Sequence, residues 1–379
     1  MNLPVYLDYN ATTPLAPEVV EAIQPCLGTL FGNPPSPHAY GIAARRSVEA
    51  ARAQVAAMLG CAVDEVVFTS GGTEASNTAI KGVALAGVGR GRHLITAAAE
   101  HPATLEPCAA LAAQGWEVTV LPVDGHGRVR PEDVAAALRP DTVLVSIMHA
   151  NNEVGTLQPI VEIAALAHAA GALLHTDAAQ TVGKAPVRVD ALGADLVSIA
   201  GHKFYAPKGV GALYVRRGVT LAKFMHGAGH EANRRASTEN LLGIVALGAA
   251  CRLVAEHLAE HAAHLRAMRD RLWARLAAEA GDVRLHGHPE ERLPNTLSVG
   301  FRGLDATDLL AELYDDVAVS AGSACHSSEV SISPVLRAMR VPEEYARGTL
   351  RFSVGRMTTG EEVDYAAAAV VRAVRGLRG

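Results

Sequence analysis

Seven short apolar runs rich in β-branched residues punctuate the first two-thirds of the chain, and they constrain its fold more than any other feature. They read "EVVFTS" (65–70), "HLITAA" (93–98), "EVTVLPV" (117–123), "TVLVSIM" (142–148), "ALLHTDA" (172–178), "DLVSIAG" (195–201) and "GALYVRR" (211–217). Between several of them lie alanine-rich helical stretches such as "ATLEPCAALAAQG" and "PIVEIAALAHAAG", the second closing on a glycine suited to a helix C-cap. Strands separated by such helices form βαβ units, which build a mostly parallel sheet covered on both faces. An α/β fold of this kind binds its ligands outside the carboxyl ends of the strands, so polar motifs at those ends carry the most weight.

Near residue 238 the pattern changes to a long helical run, "TENLLGIVALGAACRLVAEHLAEHAAHLRAMRDRLWARLAAEAG", read as one or two helices. Short strands ("NTLSVGF", "DVAVSAG") and helices ("TDLLAELY", "PVLRAMR", "EVDYAAAAVVRAVRGL") follow, the order of a small α+β domain. A chain of 379 residues is long enough for both units. Its net charge of −5, spread without long blocks of either sign, gives no electrostatic case for nucleic acid or an anionic membrane. Nothing at the N-terminus resembles a signal peptide, and no apolar run is expected to span a bilayer. The cysteines Cys26, Cys61, Cys108, Cys251 and Cys325 are odd in number and contain no CxxC pair. That argues against a disulfide framework or a metal site and for a reducing, cytoplasmic compartment.

Five polar clusters sit at strand ends. After the first run, "TSGGTEASN" (69–77) places two glycines and Thr73 at a helix start. Free backbone N–H groups and a positive dipole end there suit a phosphate, although an ordinary tight turn has the same form. "AGHKFYAPKG" puts Lys203 at the mouth of an apolar strand, where poor solvation lowers an amine's pKa and makes it a nucleophile. Lys208, five residues on, reads as a surface lysine. "LLHTDAAQTVGK" ends a strand with His175, Asp177 and Gln180, and a carboxylate there wants a cationic partner such as a protonated pyridine. "EHPATLEP" supplies His101 to stack on a flat ring or move protons, and "HANNEVG" adds Asn151 and Asn152. The stretch "SAGSACHSSEVS" (320–331) sets Cys325 among small polar residues, unlike a cysteine packed in a core.

Taken together, "YLDYNATTP", "FGNPPSPH", "TSGGTEASN", "EHPA", "NNEVG", "HTDAAQ", "GHKFYAPKG", "RRASTEN", "GSAC" and "LRFSVGR" make the chain resemble the cysteine desulfurases, pyridoxal-phosphate enzymes of the class-V aminotransferase fold. The resemblance runs almost end to end. It implies a large cofactor-binding domain over residues 15–257, and a small domain from residues 1–14 and 258–379 that carries the cysteine loop. It makes Lys203 the Schiff-base lysine, Asp177 the partner of the pyridinium nitrogen, and His101 the stacking acid/base. Gly72, Thr73 and His202 would hold the phosphate, and Thr238 would reach the phosphate of the other subunit of a homodimer. Asn152 and Gln180 would bond the pyridoxal oxygen and its surroundings, while Arg351 and Asn33 would bind the substrate carboxylate. Cys325, on a loop of the long mobile type, would take sulfur from L-cysteine as a persulfide and pass it to an acceptor protein such as an iron–sulfur scaffold or a tRNA-thiolation protein. The resemblance leaves open whether Cys325 also ligates a transient cluster.

Two positions depart from the pattern. Ala200 precedes Gly201, His202 and Lys203 where the family often has a hydroxyl residue, with Ser198 two positions back. The usual Arg-x-Gly-Thr reads Arg235, Ala236, Ser237 and Thr238. Both changes fall on the phosphate cup and bear on cofactor affinity. The resemblance implies conversion of L-cysteine to L-alanine, with Lys203 removing the Cα proton and the Cys325 thiolate, beside His101 or His326, attacking the sulfur. Selenocysteine lysis and small-amino-acid transamination are alternatives on the same scaffold. A non-catalytic assembly platform or a sulfur carrier would need neither Lys203 nor a cofactor pocket.

Overall fold

The computed structural model describes residues 3–87, 89–321 and 332–379. Strand β1 (Val5–Tyr6) opens the chain, and the next seven strands form one sheet. These are β2 (Val66–Thr69), β3 (His93–Ala97), β4 (Glu117–Leu121), β5 (Thr142–Ser146), β6 (Leu173–Asp177), β7 (Leu196–Ala200) and β8 (Gly211–Val215). Each of the seven apolar runs becomes one of them. Their spatial order is β2-β8-β7-β6-β5-β3-β4. All the pairs from β7 to β4 are parallel, and β8 lies antiparallel between β7 and β2. The carboxyl ends of β2, β3, β5, β6 and β7 therefore lie along one edge of the sheet.

Hydrophobic runs buried on both faces are what a helix-covered parallel sheet requires, and β2, β3, β5, β7 and β8 are buried at every position. One core packs Phe68, Ile95, Val145, Val197 and Ile199 against the helix Ala39–Leu59 and the first half of the long helix Leu241–Glu279. That helix is single and 39 residues long, with the Asn240 side chain accepting from the Gly243 N–H at 3.1 Å to cap its start. An 18-residue window of it reaches a mean hydropathy of 1.6, enough by length and composition to cross a membrane. This amends the expectation that no such run exists, although 56% of the window is buried inside the fold, as in a core helix.

The second half of the long helix supplies Leu265, Leu272 and Leu276 to a separate core with Leu297, Phe301, Phe352 and Val370. Around it run β9 (Val283–His286), β10 (Thr296–Phe301), β11 (Val317–Ala318), β12 (Ser320–Ala321) and β13 (Thr349–Ser353). Four of these make an antiparallel sheet in the order β12-β13-β10-β9, and β11 pairs with β1 in parallel. Chain ends are thereby stitched together: Asp8 bridges to Ser353, directly beside the large sheet's carboxyl edge.

Candidate active site

At that edge lies a cavity of about 360 Å³. It gathers Gly72, Thr73, His101, Asn152, Asp177, Gln180, His202, Lys203 and Arg351, which the sequence scatters over 280 positions. The gathering follows from topology: all but Arg351 come at or after the ends of strands of the large sheet whose carboxyl ends point the same way, and Arg351 reaches in from β13 of the small sheet.

One wall is a cradle for an anion. The helix Gly72–Ala86 begins immediately after β2, and no side chain caps its first turn. Its leading N–H groups are therefore left for a ligand. Gly71 has φ of 153°, a conformation open to glycine but strained for other residues, and it turns the chain sharply into the helix. His202 donates to or accepts from Thr12 Oγ1 at 3.2 Å, and burial followed by the positive charge of Lys203 lowers its pKa to about 4. It serves as a neutral hydrogen-bonding group. Ala200 closes the cradle with a methyl, 3.2 Å from where a Cβ on Gly72 would stand. Ser198 does not compensate, because its hydroxyl is committed to His175 Nε2 at 2.8 Å, and His175 Nδ1 in turn meets Ser146.

The opposite chemistry lies at Asp177. This carboxylate is buried, accepts from the Ala179 N–H at 2.8 Å, and has no ion-pair partner among the described residues. Burial pushes its pKa up, opposed first by the hydrogen bond from the Ala179 N–H and more weakly by the positive charge of Lys203. A bound cation at this point would repay the desolvation. His101 accepts the Ala103 N–H on Nδ1 at 3.0 Å, capping the next helix, which leaves the Nε2–H as the proton it can offer. Burial also lowers its pKa, so the ring is neutral near pH 7.

Lys203 Nζ donates to the carbonyls of Asn10 (2.7 Å) and Ala11 (2.9 Å). Burial and the nearby Arg351 bring its pKa down to about 8, within reach of a neutral, nucleophilic amine. Arg351, 8% exposed, donates to Asp8 Oδ1 at 2.8 Å and the Asn152 carbonyl at 3.1 Å, while its buried Nε has no partner. A guanidinium held on one side and unsatisfied on another is equipped for an anionic ligand such as a carboxylate. Asn151 is wholly buried and structural, its Oδ1 accepting from Glu153 and Val154.

Asn33 and Thr238 lie elsewhere. Asn33 is exposed outside the cavity, its carbonyl accepting the Ser36 N–H in a turn, so within one chain it does not meet Arg351. Thr238 is exposed and lines a separate cavity of about 240 Å³ with Thr69, Ser70, Arg235 and Ser237. The loop before it is tied to the cradle helix by Arg235 donating to Glu74 at 2.9 Å. Cys325 falls outside the described residues. The other four cysteines all have raised thiol pKa values, chiefly through burial, and none lines the cavity. Asp8 and Asn10, which meet Arg351 and Lys203, and the buried Lys184 beside Gln180 are polar groups that motif reading passes over. Their signal is faint: polar side chains inside "YLDYN" and "TVGK" that turn out buried or nearly so.

Residues 5–366 match the aminotransferase class-V family. The chain belongs to that family. Among its relatives is the cysteine desulfurase IscS of Dictyoglomus turgidum, 47% identical over 379 residues, which span 100% of this chain and 96% of the relative. The IscS of Methanosarcina thermophila is 46% identical, over 100% of this chain and 93% of its own. Among solved structures, a NifS-like protein superposes with a TM-score of 0.92 at 38% identity, covering 98% of this chain and 99% of that one. SspA in complex with cysteine gives a TM-score of 0.82 at 34% identity, over 93% and 99% of the two chains. In this member of the aminotransferase class-V family the mostly parallel sheet, the cavity at its edge and Lys203 thus stand in a setting shared with relatives named as cysteine desulfurases.

Proposed function

We propose that the protein is a cysteine desulfurase, converting L-cysteine to L-alanine and retaining the sulfur on its own cysteine. The observation that carries this is the single cavity in which a buried, unpaired carboxylate (Asp177) and a lysine of lowered pKa (Lys203) face an uncapped helix start. Those three features match the cationic ring nitrogen, the aldehyde and the phosphate of pyridoxal 5′-phosphate. Gly72, Thr73 and His202 would hold the phosphate, Asp177 the ring nitrogen, His101 the ring face, and Asn152 and Gln180 the ring oxygen side. When bound, the cofactor supplies an electron sink that weakens the Cα–H and Cβ–S bonds of the substrate.

The protein's residues do the rest. Arg351, steadied by Asp8, binds the substrate carboxylate and fixes which bond at Cα faces Lys203. The Lys203 amine takes the Cα proton, a task suited to a group with a pKa of about 8. The Cys325 thiolate then attacks the substrate sulfur: an S–S bond forms, the Cβ–S bond breaks, and its electron pair passes to the substrate carbon. With the thiol proton ending on that carbon and Lys203 returning its proton to Cα, one thiol and one L-cysteine yield one persulfide and one L-alanine.

We further infer a cytoplasmic homodimer, with Thr238 and Asn33 completing the partner's site, since each lies outside this chain's own cavity. The split between the two cores supports a large domain over residues 15–257 and a small one from 1–14 and 258–379. The sulfur acceptor would be a protein such as an iron–sulfur scaffold. The test is anaerobic incubation with L-cysteine, assaying alanine and, with a reductant, sulfide. Equal amounts of both, lost in Cys325→Ala, are expected. A keto acid in place of alanine would mean transamination, and alanine formation at wild-type rate in Cys325→Ala would overturn the scheme.

A further inference from the structure

Behind Gln180 lies a lysine that the proposed reaction does not use. Lys184 is 6% exposed, and no carboxylate lies within ion-pairing distance among the described residues. Its Nζ meets Gln180 Oε1 at 3.0 Å and Asn10 Oδ1 at 3.5 Å. A buried amine with no counter-ion is costly, and simple packing would have been served better by methionine.

We propose that Lys184 is a positioning residue that sets the polarity of the Gln180 amide, holding its oxygen away from the cavity so that the amide offers the cavity an N–H.

The geometry over-determines this orientation. Gln180 Nε2 donates to the Asn10 carbonyl at 2.9 Å, the same carbonyl that accepts Lys203 Nζ at 2.7 Å. Turning the amide over would set oxygen against oxygen at Asn10 and an NH₂ group against a donor at Lys184. That acceptor is the main-chain carbonyl of Asn10, and the Asn10 side chain is fixed too, its Nδ2 donating to Thr296 and the Asn152 carbonyl while its Oδ1 accepts from Asn295. Nε2 carries two hydrogens, and only one is spent on Asn10. The other is available to an acceptor oxygen in the cavity that Gln180 lines.

This inference rests on the pyridoxal-phosphate reading, in which the acceptor is the anionic ring oxygen. The experiment compares wild type, Lys184→Met, Gln180→Leu and the double variant, each loaded with pyridoxal phosphate. It reads two things: the melting temperature and the pH midpoint of the visible absorption change. Asp177, His101, His202, Lys203 and Arg351 face the same cavity in all four proteins, so their contribution cancels in the differences. Losing a donor to the anionic oxygen should raise the midpoint by about one pH unit in Lys184→Met. Gln180→Leu should shift it in the same direction, and the double variant no further. The Lys184→Met melting temperature should match or exceed wild type. A wild-type midpoint in Lys184→Met beside a shifted one in Gln180→Leu would overturn the proposal, as would additive shifts in the double variant. A wild type that develops no visible band at all would overturn the cofactor reading itself, a distinguishable failure.

Discussion

At position 200 a methyl group stands where the resemblance leads one to expect a hydroxyl, and nothing nearby replaces it. Ser198, the nearest alternative, gives its hydroxyl to His175 inside the sheet. The cradle therefore lacks one donor that a phosphate could use. A hydrogen bond to a charged acceptor contributes about 1.5–3 kcal/mol. Ala200→Ser should accordingly tighten pyridoxal-phosphate binding about tenfold, checked by equilibrium dialysis of the apoprotein; unchanged affinity would mean that the hydroxyl finds no phosphate oxygen. The second departure has a different consequence. Ser237 occupies the position where the resemblance leads one to expect glycine, and it sits at φ of 85°. That region costs a residue with a Cβ about 1 kcal/mol or more, part of which glycine returns through its greater freedom when unfolded. Ser237→Gly should raise stability by about 0.5 kcal/mol, visible as a small increase in the urea midpoint at constant slope.

Strand β2 forms one edge of the large sheet, and such an edge exposes backbone groups to any passing strand. Here a buried ion pair covers it. Arg52 donates to the Val66 carbonyl at 3.0 Å and to both oxygens of Glu231 at 2.6 and 2.8 Å, and Glu231 accepts the Phe68 N–H at 2.9 Å. Glu231→Ala would leave the buried Arg52 with only the exposed Glu49 at 3.3 Å and the Phe68 amide unpaired, which costs about 2 kcal/mol. Hydrogen exchange at the Phe68 amide should accelerate sharply, while amides of the central strand β6 change only with global stability. Equal acceleration everywhere would mean the pair supports the whole fold and not the edge. The seven strands of this sheet are legible in the sequence because each is a short apolar run between helices. Asp177 and Lys203 are legible because charges at the ends of such runs demand a reason. Asn10 and Lys184 are not, since they lie 174 residues apart and neither stands at the end of an apolar run. The short strands β1, β9 and β13 also escape, being defined by partners across the small core more than by local pattern.

For the molecule as a whole, buried groups of opposite sign shape the response to pH. Burial holds His149 and His286 at about 4 and His175 at about 3, well below an unfolded imidazole. The unfolded chain therefore binds more protons as pH falls below about 6.5, so these residues lose stability on the acid side down to about pH 3. Glu153 and Glu100 run the other way. Burial raises Glu153 to about 7, and Glu100, with one oxygen on the Met148 N–H at 2.7 Å and the other unpartnered, is also raised well above the usual carboxylate range. Folded protein holds their protons where unfolded protein has released them, so their contribution is full below about pH 4.5 and fades as pH rises through 7. Between about pH 4.5 and 6.5 the two slopes oppose each other, and the melting temperature should show a plateau there, declining on both sides. Glu153→Gln isolates one component, because the amide oxygen can still accept from Ser333 without a charge to bury. The variant should match wild type near pH 5 and exceed it by about 2 kcal/mol at pH 8. A gain independent of pH would show that Glu153 is already neutral throughout, and a loss at pH 8 would show that its carboxylate is needed by Arg351, the cation whose charge opposes the rise.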